Sequence, residues 1–156
     1  MKFQNLPYSR PNLKEITSKL NSLIQHFSKA QSAQSQIDLM NQIRDVRNEM
    51  ESSKTIASIR HSINTRDKFF DTENKFFDEN SPAYNAIINK YYKAIVKSDF
   101  KKELSEEFGP HFFNLAKVTV ESFDDKTIHL LKEENKLSSE YNVIIAQIKI
   151  EIDGKQ

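Results

Sequence analysis

KFFDTENKFFDEN, residues 68–80, is a tandem repeat in which KFFDTEN is followed at once by KFFDEN. The repeat places aromatic residues seven positions apart, and the series continues as Phe70, Phe77, Tyr84 and Tyr91. Seven-residue spacing keeps side chains on one face of a helix, and such an aromatic stripe is more typical of a packed core than of a ligand groove. Ser81-Pro82 interrupts the run and is typical of the start of a new helix. We therefore predict two helices, about 67–80 and 82–98, that share one aromatic seam.

Helical periodicity extends through most of the remaining chain. Asn12 and Glu15 form a capping box in front of a helix predicted at 13–29. A second apolar series predicts either one long helix over 37–63 or two helices with a break near Ser52–Ser53. Three shorter helices are expected at 100–108, 126–136 and 138–148, and a segment over 112–120 fits a helix or a strand.

The end of the sequence predicts a β-strand. QIKIEI, residues 147–152, alternates polar and apolar side chains, as a half-buried strand does. Asp153-Gly154 follows and is typical of a two-residue hairpin turn, but only two residues come after it. We interpret 147–156 as a β-hairpin without its second strand, and the chain as the front part of a longer protein. A frayed tail, or an edge strand that pairs elsewhere, is the alternative.

Length and composition exclude several classes of protein. The chain has 156 residues, a formal net charge of +1, two glycines and no cysteine. These counts exclude glycine-rich phosphate loops, disulfides and thiolate metal sites, and balanced charge gives no general attraction to nucleic acid or an anionic membrane. We predict one all-α domain over 1–156. It is a multi-helix bundle with long antiparallel helices and an extended lead-in at 1–12, and it ends in one β-strand of an incomplete hairpin.

We assign no catalytic or metal-binding residue in this sequence. No two of its four histidines lie three or four positions apart, so the zinc motif H-E-x-x-H is absent. The carboxylates between Asp71 and Glu107 are typical of solvated helix faces with lysine partners. The serine pairs at 52–53 and 138–139 are typical of helix caps.

Arg60, His61 and Asn64 are the candidates for a binding role. They follow an apolar ridge of isoleucines that we expect to be buried, at positions 56, 59 and 63. Arg60 and Asn64 lie one helical turn apart, and an arginine offers two parallel donors to a carboxylate. That carboxylate belongs either to a neighbouring Asp or Glu, which makes the pairing structural, or to a ligand at the edge of a substrate cleft.

Three long segments resemble the N-terminal part of oligoendopeptidase F, a family of bacterial, thimet-oligopeptidase-like zinc metallopeptidases. They are MKFQNLPYSRPN (1–12), TIASIRHSINTRDKFFDTENKFFDENSP (55–82) and EENKLSSEYNVIIAQIKIEIDGK (133–155). The resemblance implies a cytoplasmic enzyme that cleaves short peptides inside a channel enclosed by helices. It implies zinc bound by H-E-x-x-H and a further Glu in a C-terminal catalytic region, which this sequence does not include.

The resemblance therefore implies a non-catalytic lobe that forms the lid side of the substrate channel, with Arg60, His61 and Asn64 as channel-side candidates. The implied partners are the C-terminal catalytic region and, in the complete enzyme, short peptides. We expect no cofactor in this chain and no peptidase activity from it alone. We also expect an exposed apolar patch where the catalytic region packs, through which the chain could form homo-oligomers. A free-standing helical module that binds a protein partner is the alternative.

Overall fold

The first helix, α1, spans Leu13–Lys29 and begins where the sequence provides a cap. The side chain of Asn12 accepts a hydrogen bond from the Glu15 backbone N–H, at 3.3 Å. Every third or fourth residue is apolar and buried, which gives α1 one face against α2 and α3: Ile16, Leu20, Leu23, Ile24 and Phe27. The computed structural model describes residues 6–148 of the chain.

The second helix, α2, is one continuous helix over Ala33–Ile63, with Ser32 as its N-cap. Of the two predicted alternatives, the single long helix is correct, and the pair of helices with a break near Ser52–Ser53 is wrong. The buried stripe passes through Met50, Ala57 and His61, because a period of 3.6 residues carries it there. The isoleucine ridge was therefore wrongly predicted to be buried: Ile59 and Ile63 are exposed.

The third helix, α3, spans Lys68–Val96 without interruption and contains Pro82 in its interior. The prediction of two helices that meet at Ser81-Pro82 is wrong. Phe77, Tyr84 and Tyr91 are buried and Phe70 is half-buried, so the aromatic seam does form part of the core. α2 and α3 run antiparallel. Ser98, just after α3, bonds Gln36 near the start of α2 at 2.6 Å, whereas Phe70, near the start of α3, contacts Arg60 near the end of α2.

Three shorter α-helices and a 3₁₀ turn follow. α4 spans Lys101–Phe108 and α5 spans Pro110–Ser122, so the segment left ambiguous by the sequence is helical. Gly109 joins the two with φ +84°, a backbone conformation that favours glycine. A 3₁₀ turn at Asp125–Thr127 then leads into α6, Ile128–Gln147. α6 replaces the two helices predicted at 126–136 and 138–148.

The prediction that the fold ends in a β-strand is wrong for the part of the chain that the structure describes. Residues 6–148 contain helices and connecting turns and no strand, and Gln147, where the strand was expected to begin, is the last residue of α6. The backbone N–H of Ile148 donates to the carbonyl of Ile145 at 3.3 Å, so the chain still makes a helical-type turn where the strand was expected to begin. The rest of the expected strand and the Asp153-Gly154 turn lie outside the described residues.

The lead-in segment is held against α3 by one buried carboxylate. Glu73 accepts hydrogen bonds from Tyr8 Oη at 2.5 Å and from both Nε and an Nη of Arg10, at 2.9 and 2.5 Å. The Arg10 guanidinium also lies 4.6 Å from the centre of the Phe76 ring. Hydrogen bonds from Arg10 are the largest influence on Glu73 and hold the pKa of its carboxyl below the usual value, although burial opposes them.

None of the helices within residues 6–148 combines the length and the apolar character that crossing a bilayer requires.

Candidate functional site

The three residues singled out in the sequence do not share one site. Arg60 and Asn64 line a small cavity of about 170 Å³ together with Asp67 and Phe70. The Arg60 guanidinium donates to the carbonyl of Leu6 and lies 5.0 Å from the centre of the Phe70 ring. Asn64 caps the end of α2, and its side chain accepts from the backbone N–H of Arg66 at 3.2 Å. These contacts join the end of α2 to the lead-in and to α3.

His61 lies on the wall of a different and larger cleft. This cleft has a volume of about 670 Å³ and is formed mainly by α3 and α6, with His61 contributed by α2. The imidazole is only 6% exposed. Its Nδ1 is buried and has no hydrogen-bond partner within residues 6–148. A buried polar atom without a partner is unusual in a folded protein, so this nitrogen indicates that the cleft can bind a group with which it forms a hydrogen bond.

Asp78 is the centre of a polar cluster in the cleft. Its Oδ2 accepts from Ser139 Oγ at 2.6 Å and from Asn74 Nδ2 at 3.1 Å, and Asn74 also lies 3.0 Å from Ser139 Oγ. Burial raises the pKa of the Asp78 carboxyl, while the Ser139 hydrogen bond and positive charge nearby, on His61 when it is protonated and on Lys54, act in the opposite direction. The cluster therefore joins α3 to α6 through a carboxylate that is partly withdrawn from water.

The lysines that line the cleft are already paired. Lys75 bonds Asp71 at 2.7 Å and Lys132 bonds Glu79 at 2.6 Å. Lys136 lies 3.9 Å from Glu140 on the same helix. Asp78 and Glu133 also line the cleft and form no salt bridge with a described residue. The cleft thus carries an excess of negative charge when His61 is neutral.

The sequence did not indicate the Asp78 cluster. We expected the carboxylates of α3 to be solvated with lysine partners, which describes Asp71 and Lys75 but not Asp78. We expected Ser138 and Ser139 to cap a helix, yet they lie inside α6. The available signal was the i, i+4 spacing of polar pairs, Asn74 with Asp78 and Asn135 with Ser139, on one face of each helix.

A face of α6 points its apolar side chains away from the bundle. Asn135 and Ser139 bond to α3, and the helix has no fully buried residue. The opposite side carries large apolar side chains that are 52–64% exposed. We call it the α6 apolar face, and it consists of Leu130, Leu137, Tyr141, Ile144 and Ile148, with Ile144 at the border between this face and the cleft. Their spacing of seven, four, three and four positions keeps them on one stripe, so α6 presents its polar side to its own bundle.

The described residues do not fit a zinc site. No three His, Cys, Asp or Glu side chains within 6–148 lie close enough together to hold a metal ion, and the sequence contains no cysteine. Zinc in proteins takes three or four such ligands. The geometry therefore assigns no step of metal chemistry to these residues.

A bundle of long helices with one polar cleft and an uncovered apolar helix face is typical of a helical lobe within a larger protein. The comparisons identify which protein family has this lobe. The chain belongs to the Peptidase M3 N-terminal domain family, whose sequence profile matches residues 3–123. No curated protein matches the chain.

Solved structures extend the similarity to the whole lobe. PZ peptidase A, in a structure with an inhibitor, is 35% identical over 99% of this chain, with a TM-score of 0.94. An oligoendopeptidase F studied in crystals grown by microfluidic seeding is 34% identical over 99% of this chain, with a TM-score of 0.94. An oligoendopeptidase F from Bacillus anthracis str. Ames is 34% identical, with a TM-score of 0.93. The chain spans 27–28% of the length of these proteins, and the resemblance to oligoendopeptidase F stated from the sequence is confirmed.

Proposed function

We propose that the chain is the non-catalytic N-terminal lobe of a cytoplasmic, oligoendopeptidase F-like zinc peptidase, and that it forms the lid side of a channel for short peptides. The observation that carries the proposal is the α6 apolar face. A helix whose apolar stripe is exposed while its polar side bonds to the bundle gains stability when another surface covers that stripe. In the proposed enzyme the C-terminal catalytic region is the surface that covers it.

The comparisons support this division of roles. The solved structures match nearly all of this chain, yet the matched part is only 27–28% of their length. The remaining length is ample for a separate catalytic region, and the names of these relatives describe peptidases. Arg60 and Asn64 then act as part of the channel-side surface, held by the end of α2.

A complementation assay tests the proposal. The chain alone, with added zinc and a quenched fluorescent peptide, should show no turnover. The chain should restore turnover when mixed with the downstream region of a similar oligoendopeptidase F, and a chimera that joins the two should be at least as active. Turnover by the chain alone would contradict the proposal. A folded chimera without peptidase activity, measured beside an active intact relative, would also contradict it.

A matched pair of variants locates the docking surface. Tyr141→Glu places a charge in the middle of the α6 apolar face and should abolish complementation in the mixture. Val118→Glu places the same charge on an apolar residue of α5 that is equally exposed, and should leave most of the complementation intact. Equal loss from both variants would argue against α6 as the docking surface, and would favour a free-standing module that binds other partners through several faces.

A further inference from the structure

The cleft between α3 and α6 has the size and chemistry of a binding site. Its volume of about 670 Å³ lies within the range of about 300–1,000 Å³ that is typical of ligand pockets. It combines a surplus of carboxylate, from Asp78 and Glu133, with an apolar end formed by Val143 and Ile144. Since the three lysines in its walls are each matched by an acidic neighbour, the cleft favours a cationic group with an apolar neighbour.

Two hydrogen-bond acceptors that line the cleft indicate which kind of cationic group it favours. Asp78 uses Oδ2 for Ser139 and Asn74, which leaves Oδ1 for a donor that enters the cleft. His61, buried on the same wall, has an Nδ1 without a partner in the described chain, and this nitrogen can accept a hydrogen bond when the imidazole is neutral. A guanidinium group is planar, carries five N–H donors and is less strongly hydrated than an ammonium group. A group with several donors and weak hydration suits a cleft that presents more than one acceptor.

We propose that this cleft binds the guanidinium group of an arginine within a peptide segment. Asp78 forms the ion pair, His61 accepts a second hydrogen bond, and Val143 and Ile144 contact the apolar residue next to the arginine. The site goes beyond the proposed function because α2, α3 and α6 of this chain form it without a catalytic region. Ser139 and Asn74 are positioning residues, since they hold the Asp78 carboxylate through Oδ2.

The test is a titration of the full 156-residue chain followed by ¹⁵N NMR. The probes are acetyl-Leu-Arg-Leu-amide, the same peptide with citrulline in place of arginine, and free arginine. The arginine peptide should give saturable shifts at Asn74, Asp78 and Ser139. The citrulline peptide, which keeps the shape but loses the charge, should bind at least tenfold more weakly. Free arginine should also bind more weakly than the peptide, because it lacks the apolar neighbour.

Variants of the chain complete the test. Asp78→Asn should weaken the arginine peptide at least tenfold, and His61→Phe should weaken it several-fold. Asp99→Asn, which removes an exposed carboxylate that does not line the cleft, should have no effect. If Asp78→Asn does not fold, the affinities of the unaltered chain for the arginine and citrulline peptides decide whether the positive charge is recognised. Equal affinity for the two peptides, or shifts confined to residues outside the cleft, would overturn the proposal, and equal affinity for free arginine would overturn the role of the peptide segment.

Discussion

The side-chain amide of Asn135 donates a hydrogen bond to the backbone carbonyl of Asp78, with 3.2 Å between Nδ2 and O. In a regular α-helix that carbonyl accepts from the N–H four residues later. The residue there is Pro82, which has no N–H. α6 thus supplies the donor that α3 lacks, and α3 continues through its internal proline with that carbonyl satisfied.

Asn135→Ala should therefore destabilise the lobe. The substitution removes the donor that replaces the missing N–H of Pro82, and losing one such hydrogen bond costs about 1 kcal/mol. Urea denaturation followed by circular dichroism measures the change in the free energy of unfolding. The neighbouring exposed residue Glu134 provides the control, since Glu134→Ala on the same helix should change stability by less than about 0.5 kcal/mol.

The same substitution in a Pro82→Ala background separates this explanation from a general weakening of α6. Replacing the proline with alanine restores a backbone N–H that can donate to the Asp78 carbonyl, so Asn135→Ala should cost less there than in the natural sequence. Contacting residues of this kind show coupling of at least about 0.5 kcal/mol in a double-mutant cycle. Purely additive costs would mean that Asn135 does not substitute for the missing donor.

The helices were largely predictable because their signals are local. Asn12 caps α1 as predicted, and the apolar spacing in α1 identifies its buried residues. Pro82 and Ser138 misled the prediction because both are typical of helix starts. A proline inside a helix is tolerated when a side chain from elsewhere compensates for it, and that side chain, Asn135, is 53 residues away in the sequence.

The cleft could not be predicted for a related reason. His61 was singled out, but its grouping with Arg60 and Asn64 rested on sequence proximity, and the α2 helix directs His61 to another side. Asp78 becomes distinctive only through its contacts with Ser139, 61 residues later. Likewise, the α6 apolar face is visible as a pattern in the sequence, whereas its exposure depends on which side of α6 meets α3.

Glu73→Gln should weaken the attachment of the lead-in segment in a pH-dependent manner. The pKa of Glu73 is lowered in the folded chain, chiefly by Arg10, so its carboxylate contributes stability above the unfolded pKa of about 4.3. That contribution disappears as the pH falls through the lower, folded pKa. At pH 7 the cost of Glu73→Gln should be about 1–2 kcal/mol, since the carboxylate is buried but Arg10 is half-exposed.

The measurement is the difference in unfolding free energy between the natural chain and Glu73→Gln at several pH values from 7 down to 3. The difference should be largest at neutral pH and should shrink toward acid. Asp71→Asn, at a more exposed carboxylate of the same helix, is the control and should show a smaller difference. A difference for Glu73→Gln that grows as the pH falls would contradict the assigned role.

Two isoleucines of α2 should respond very differently to truncation. Ile43 is fully buried, whereas Ile63 is 58% exposed near the helix end. Ile43→Ala removes buried methyl groups and leaves a cavity, which costs about 2–5 kcal/mol. Ile63→Ala should cost less than about 0.5 kcal/mol. Chemical denaturation of both variants compares the two costs, and similar values would contradict the assigned core.

Gly109→Ala should destabilise the junction between α4 and α5 through the backbone alone. Gly109 has φ +84° and ψ 150°, a combination almost restricted to glycine, so another residue there costs about 1–3 kcal/mol. Apart from Gly109 and its two chain neighbours, no atom lies within 4 Å of the position that a Cβ would occupy, so a clash with the rest of the fold contributes nothing. Asn114→Ala, at an exposed position on α5, is the control. Chemical denaturation should show a lower free energy of unfolding for Gly109→Ala and no comparable decrease for Asn114→Ala.

The α6 apolar face should make the isolated lobe self-associate. Five large side chains exposed along one stripe of a helix resemble the seam of a helical dimer, and covering them removes apolar area from water. Sedimentation velocity at increasing concentration should show a rising average mass for the natural chain.

Leu137→Glu should shift association to at least tenfold higher concentration while leaving the circular dichroism spectrum unchanged, because Leu137 is 64% exposed and contributes little to the fold. Leu115→Glu, at a similarly exposed position on α5, should associate like the natural chain. If Leu137→Glu also associates like the natural chain, the α6 apolar face is not the contact between copies, since a charge at its centre must be desolvated whenever that face is covered.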